Sequence, residues 1–195
     1  MTNENGTFLQ TLSAGCVDVV LVHHFKCGST HQPGEQRSLV NREYNHRRHD
    51  ELIRGYEGVA EVLDGLRAAG KRLGIVTSKS ADTTQMAFRA VGLREHFEVV
   101  VTASDTAEHK PSPVPLRLCL ERFGAPPEGA LYVGDSPVDI EAGRAAGMAT
   151  AAVAWGVFGP EALLAARPDF WLEEPAELLD LCLRGDGRRV QGRRG

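Results

Sequence analysis

From Tyr56 onward, short apolar runs bounded by turn residues alternate with segments whose apolar side chains recur at helical spacing. This alternation constrains the fold most, because strands joined through helices pair in parallel, and a parallel sheet needs helices on both faces. Val59 to Ala69 carries a stripe of Val59, Val62, Leu63 and Leu66 and stops at Gly70. RLGIVT (Arg72 to Thr77) then reads as a strand, Ala81 to Val91 as a helix, FEVVVT (Phe97 to Thr102) as a strand, and Pro113 to Phe123 as a helix ended by Gly124. Ala130 to Gly134 is apolar without alternation, as in a strand buried on both faces, and Ser136-Pro137 opens a helix behind it. A strand over Thr150 to Ala154, a helix around Pro160 to Ala166 and a short strand at Phe170-Trp171-Leu172 follow. The expected fold class is α/β, a doubly wound and mostly parallel sheet.

Composition narrows the partners. The 195 residues suffice for one domain with a real core, and a formal net charge of -4 leaves no footprint for nucleic acid. The apolar runs are too short to span a bilayer, and MTNENGTFLQ lacks the basic start and apolar core of a signal peptide. Cys16, Cys27, Cys119 and Cys182 show no paired spacing, which points to a reducing cytoplasm and no metal knuckle. Residues 185–195 (GDGRRVQGRRG) read as a disordered basic tail.

The chemistry concentrates at predicted strand ends. Asp135 closes the run LYVGD, and Asp139 falls in the first turn of the following helix, with Ser136 as N-cap and Pro137 at the first helical position. Ligands of open α/β sheets bind outside the carboxyl ends of the strands, and two carboxylates there repel unless a cation lies between them. A hard ion such as Mg²⁺ suits such oxygens. The alternative is that Asp135 caps the helix and Asp139 is a solvated first-turn acid. Thr77 and Ser78 end the strand RLGIVT, where a hydroxyl and adjacent N–H groups can hold a phosphate oxygen. Lys110, in HKPSPVPL, is held in an extended lead-in by Pro111 and becomes a positioned charge. Individually Thr77 and Lys110 mean little. Together with the paired aspartates they form a set that handles phosphoryl groups.

IVTSK (Ile75 to Lys79), HKPSPVPL (His109 to Leu116) and YVGDSPVDIEAGRAAG (Tyr132 to Gly147) resemble, in that order, motifs two to four of the haloacid dehalogenase-like hydrolase superfamily. REYNHRRHDELI (Arg42 to Ile53), YEGVAEVLDGLRAAG and VAWG (Val153 to Gly156) are similar to its phosphoglycolate phosphatase and pyrophosphatase-like group. The resemblance runs from about Leu39 to Leu183. It implies a Rossmann-like core over residues 56–184, a truncated helical cap over 39–55, and Mg²⁺-dependent hydrolysis of a small organic phosphate. By the same resemblance Thr77 binds the phosphoryl group, and Lys110 stabilises the aspartyl-phosphate and its nucleophile. Asp135 ligates Mg²⁺, and Asp139 holds the metal or its waters.

Residues 1–38 depart from the pattern. The family's first strand is followed by Asp-x-Asp-Gly-Thr, whose first aspartate attacks phosphorus, whereas Asp18 is the only aspartate here before Asp50 and stands at the start of its apolar run. No nucleophile is identified. That first strand is the centre of the family's sheet, and leaving it out would expose two internal edges. Val17 to Val22 is the one segment able to fill the place, which would set His23, His24, Phe25 and Lys26 where the acidic motif belongs. His46 and His49, one helical turn apart with Arg47 and Arg48 between them, read as a solvated face. Three classes therefore stand: a Mg²⁺-dependent phosphatase, a catalytically inactive relative or truncated fragment, and a receiver-type signalling domain. The last conflicts with chain order, since receivers place their acidic cluster before the hydroxyl and the lysine.

Overall fold

A computed structural model describes residues 18–22, 26–27, 53–54, 56–185 and 187–190. Its main sheet has seven strands in the order β5-β4-β1-β6-β7-β8-β9. These are β1 (Val19–Val22), β4 (Arg72–Val76), β5 (Val99–Val101), β6 (Ala130–Gly134), β7 (Ala149–Val153), β8 (Phe170–Leu172) and β9 (Arg188–Arg189). Every neighbouring pair is parallel except β8 with β9. A second, two-stranded sheet pairs β2 (Lys26–Cys27) antiparallel with β3 (Ile53–Arg54).

β1 lies between β4 and β6, with Val22 level with Ile75 on one side and Val133 on the other. VVLV suits that place because β-branched side chains pack well on both faces of a pleated interior strand. Asp18 stands at the other end of the strand, where its N–H donates to Gly129 O at 2.9 Å and its carbonyl accepts from Arg72 N at 3.0 Å. The one aspartate near β1 is therefore at the amino end, away from the carboxyl-end crevice.

The helices are α1 (Val59–Ala68), α2 (Ala81–Val91), α3 (Val114–Phe123), α4 (Pro137–Ala146), α5 (Pro160–Ala165) and α6 (Ala176–Arg184). Alternate strand residues feed two cores. Val20, Leu73, Ile75, Leu131 and Val133 join Val62, Leu63 and Leu66 of α1, Phe88 of α2 and Leu178 and Leu181 of α6 on one face. Val19, Val76, Val101 and Tyr132 meet Leu116, Leu120 and Phe123 of α3 and Ala142 and Ala146 of α4 on the other. This is the doubly wound arrangement expected from the pattern of alternation.

Three expectations change. Residues 188–189 of the supposed disordered tail form the edge strand β9, where the Arg189 guanidinium lies 5.9 Å from the Phe170 ring centroid and Arg188 pairs with Glu173. Pairing with β8 satisfies backbone groups of a short arginine-rich segment that composition alone marks as unstructured, and the ring contact adds to it. Ile53 and Arg54, at the end of the supposed helical cap, are extended because they pair with β2. Helix α6 was not expected at all, although Leu178, Leu181 and Cys182 give it a buried face. His23, His24, Phe25, His46 and His49, and most of 39–55, lie outside the described residues.

Candidate functional site

Thr77 and Asp135 both follow directly on the carboxyl ends of interior strands, β4 and β6, on either side of β1. The chain runs from β1 to β4 and β5 on one side and then crosses to β6 and β7 on the other, so the loops at this point diverge and leave a crevice. Thr77 continues the β4–β5 ladder through its N–H to Val101 O at 2.9 Å, and its hydroxyl accepts the Lys79 N–H at 3.2 Å. Thr77 is buried, whereas Ser78 is exposed at the mouth.

Lys110 reaches the same place from the loop ahead of α3. Its ammonium donates to Asp139 Oδ1 at 2.7 Å, to Tyr132 Oη at 2.9 Å and to Val76 O at 3.3 Å. Three acceptors match the three hydrogens of an ammonium, so the charge is held in place. The Lys110 and Asp139 side chains are only 2% and 0% exposed, which makes this a buried ion pair. Burial pulls the Lys110 ammonium below the usual lysine range, and the charge and hydrogen bond of Asp139 oppose that pull.

Asp139 is the first-turn acid of α4, but it is not solvated. Its Oδ2 accepts the Ser136 N–H at 3.2 Å and the Ser136 hydroxyl at 2.5 Å, while Oδ1 takes Lys110. One carboxylate thus closes the capping box of α4 and neutralises the lysine. Both oxygens of Asp139, expected with Asp135 to hold a metal, already face the protein donors Lys110 and Ser136.

Asp135 opens onto a recess of ≈ 40 Å³ lined by Val22, Tyr56, Val133, Gly134, Val153 and Trp155. A space of that size takes a water molecule or a small ion. Its Oδ2 accepts the Val157 N–H at 3.3 Å. The loop can come so close because residue 156 is glycine, where a Cβ would stand 2.2 Å from the Asp135 Cβ and 2.8 Å from its Oδ2. Burial, together with the negative charge of Asp135, pushes the Tyr56 hydroxyl up to about 12 and keeps it a proton donor at neutral pH. Among the described residues no group of three His, Cys, Asp or Glu side chains could hold a metal. A single carboxylate still fits Mg²⁺, which commonly takes one or two protein carboxylates and fills its shell with water and phosphate oxygens.

Thr77, Ser78 and Asp135 stand at the ends of β4 and β6, Lys110 and Asp139 pair with each other there, and Tyr132, Tyr56 and Gly156 touch or line the same region. Tyr132 had a signal. A hydroxyl in the middle of a strand buried on both faces must find a partner. Tyr56 and Gly156 fall in YEGVAEVLDGLRAAG and VAWG, two stretches that carry the resemblance, but nothing in the sequence gives either a place in the site.

A doubly wound sheet with a threonine, a lysine and aspartates at neighbouring strand ends defines a class of phosphoryl-handling α/β proteins. The sequence profile of the haloacid dehalogenase-like hydrolases matches residues 22–153, and the chain belongs to that family. It is 46% identical over 140 residues to a pyrophosphatase PpaX of Bacillus velezensis, covering 72% of this chain and 65% of that protein. A pyrophosphatase PpaX of Bacillus cereus is 45% identical over 147 residues, covering 75% of this chain and 68% of its own. The chain thus spans just under two thirds of the Bacillus velezensis relative's length. Among solved structures, a protein described as a predicted phosphoglycolate phosphatase from Haemophilus somnus superposes with a TM-score of 0.67 at 29% identity, covering 72% of this chain and 64% of that one. A haloacid dehalogenase superfamily hydrolase from Geobacter sulfurreducens gives 0.65 at 25% identity, covering 87% and 98%.

Proposed function

We propose that the crevice at the ends of β4 and β6 binds a small organic phosphate or pyrophosphate together with Mg²⁺. The observation that carries this reading is that Thr77 and Asp135 follow the carboxyl ends of β4 and β6 on either side of β1, with the Lys110 ammonium fixed on the last carbonyl of β4, Val76 O. Thr77, with the N–H groups of its turn and Ser78 at the mouth, would receive phosphoryl oxygens. Lys110 would offset their charge as a positioned point charge. Asp135 would hold Mg²⁺, with phosphate oxygens and waters completing the shell; when bound, the ion neutralises charge on the phosphoryl oxygens. The names of the relatives, pyrophosphatase and phosphoglycolate phosphatase, support a small phosphate ester or anhydride as ligand. The scattered cysteines, with Cys119 and Cys182 as buried thiols, support a reducing, cytoplasmic setting.

A second reading, binding without turnover, is favoured by one observation: no aspartate or glutamate occurs between Val19 and Gly34. Hydrolysis through an aspartyl-phosphate then has no attacking carboxylate after β1. Titration calorimetry of the full chain with inorganic phosphate, with and without MgCl₂, tests the first reading. Binding should require Mg²⁺, be lost in Asp135→Asn and be weakened but still measurable in Lys110→Met, whereas absence of binding by the native chain sinks it. Hydrolysis of p-nitrophenyl phosphate, phosphoglycolate and pyrophosphate tests the second. It should be negligible, and aspartates placed at His23 and Phe25 should raise it. Robust Mg²⁺-dependent turnover by the native chain, abolished by Asp135→Asn, rejects the inactive reading.

A further inference from the structure

We propose that Tyr132 is a positioning residue of this site, acting through Lys110; the proposal deepens the phosphate-binding reading and rests on it. Tyr132 is fully buried on β6, on the face covered by α3 and α4. Its hydroxyl accepts from Lys110 Nζ at 2.9 Å and lies 3.2 Å from Val76 O and 3.3 Å from Asp139 Oδ1. A single phenol thus touches the ammonium, its counter-ion and the last carbonyl of β4, next to Thr77. The phenol proton has Val76 O or Asp139 Oδ1 to go to, which leaves a lone pair aimed at Lys110. Without it, the long and flexible lysine stem loses its middle contact and the ammonium can swing about Asp139.

The surrounding chain is shaped to seat the ring. Gly143 of α4 lies over it, where a Cβ would come within 3.2 Å of Tyr132 Cδ1 and 2.6 Å of Thr150 Cγ2. A helix with any larger residue at this point would stand farther from the sheet. Lys110 Nζ, 2.9 Å from Oη and 5.6 Å from the ring centroid, stands beyond the hydroxyl end of the ring, so the two side chains meet through Oη alone. Burial and the nearby Asp139 charge raise the phenol well above its ordinary value, so it remains a neutral hydroxyl in this role.

The test is a double-mutant cycle on the full chain with Tyr132→Phe and Lys110→Met, read in two ways. Phosphate affinity in the presence of Mg²⁺ should fall about tenfold in Tyr132→Phe, the scale of one hydrogen bond to a charged group, and should fall no further when Tyr132→Phe is added to Lys110→Met. Equal losses in both backgrounds would reveal a general structural role and overturn the proposal. The second readout needs no ligand. The slowly exchanging ammonium signal of Lys110 in ¹H–¹⁵N spectra, assigned by its disappearance in Lys110→Met, should be lost in Tyr132→Phe while the backbone spectrum is retained. A native chain that fails to bind phosphate removes the functional reading, but this second readout still decides the role of Tyr132. An ammonium signal unchanged in Tyr132→Phe overturns it.

Discussion

Asp139 shows how far one buried carboxylate can be shared. It caps α4 through Ser136 and fixes Lys110 at 2.7 Å, while itself wholly removed from solvent. Such a pair contributes little net stability compared with an apolar replacement, because both charges lost their water, yet removing one partner strands the other. Lys110→Met should therefore destabilise the protein by about 3–5 kcal/mol. Adding Asp139→Asn to that variant should recover part of the loss. Urea unfolding of both variants measures this, and a single variant as stable as the native chain would contradict the pairing. Glycine at 156 is a residue-scale requirement of the same kind. Gly156→Ala sets a methyl 2.2 Å from the Asp135 Cβ, so the loop must retreat and the Val157 N–H leaves Asp135. A cost of about 1–3 kcal/mol is expected. Mg²⁺ affinity should change with it, which calorimetry reads.

Among the elements, the turn after β5 carries its own electrostatics. Asp105 Oδ2 accepts the Thr102 N–H at 2.8 Å and the Thr102 hydroxyl at 2.7 Å, and Oδ1 pairs with Arg122 of α3 at 2.8 Å. Burial alone would raise this carboxyl, but the Thr102 hydroxyl, Arg122 and the Thr102 N–H together outweigh it and hold the group below the usual carboxylate range. A group lowered on folding stabilises the native state above its unfolded pKa, and that contribution fades as pH falls through the folded value. Asp105→Asn should accordingly be less stable than the native chain at pH 7, with the difference shrinking towards acid. Thermal unfolding from pH 7 down to pH 3 checks the sign. A difference that grows towards acid would remove Asp105 from this role. The Arg122 head donates to Val100 O at 3.0 Å as well, covering a carbonyl on the edge strand β5.

In the molecule as a whole, β1 is the keystone. It shares its ladders with β4 and β6, and Val20 within it is wholly buried in the larger core. Val20→Asp would place an unpaired carboxylate at that junction, a cost comparable to the whole stability of a domain, commonly about 5–15 kcal/mol. The cooperative thermal transition by circular dichroism should vanish. Retention of a native-like transition would mean that β1 is dispensable to the sheet.

The spacing of apolar residues by itself determined most of the elements, since periods of two and 3.6 are properties of the backbone that hold wherever the segment ends up. Val59–Ala68, Ala81–Val91, Ala130–Gly134 and Phe170–Leu172 were legible to within a residue for that reason. Strand ends followed from the same pattern, and with them Thr77 and Asp135 as candidates, while Lys110 was marked by Pro111 beside it. Helix α6 and the edge strand β9 were not legible, because a short helix and two arginines acquire their order from the sheet they pack on. The division of labour between the two aspartates was also out of reach, since spacing gives each a position but not the donors that meet it. Tertiary structure alone brought Ser136, Tyr132 and Lys110 onto Asp139, left Asp135 facing the recess, and laid Gly156 against it. Contacts between residues far apart in sequence depend on how strands are ordered and helices seated, and no local period encodes that order.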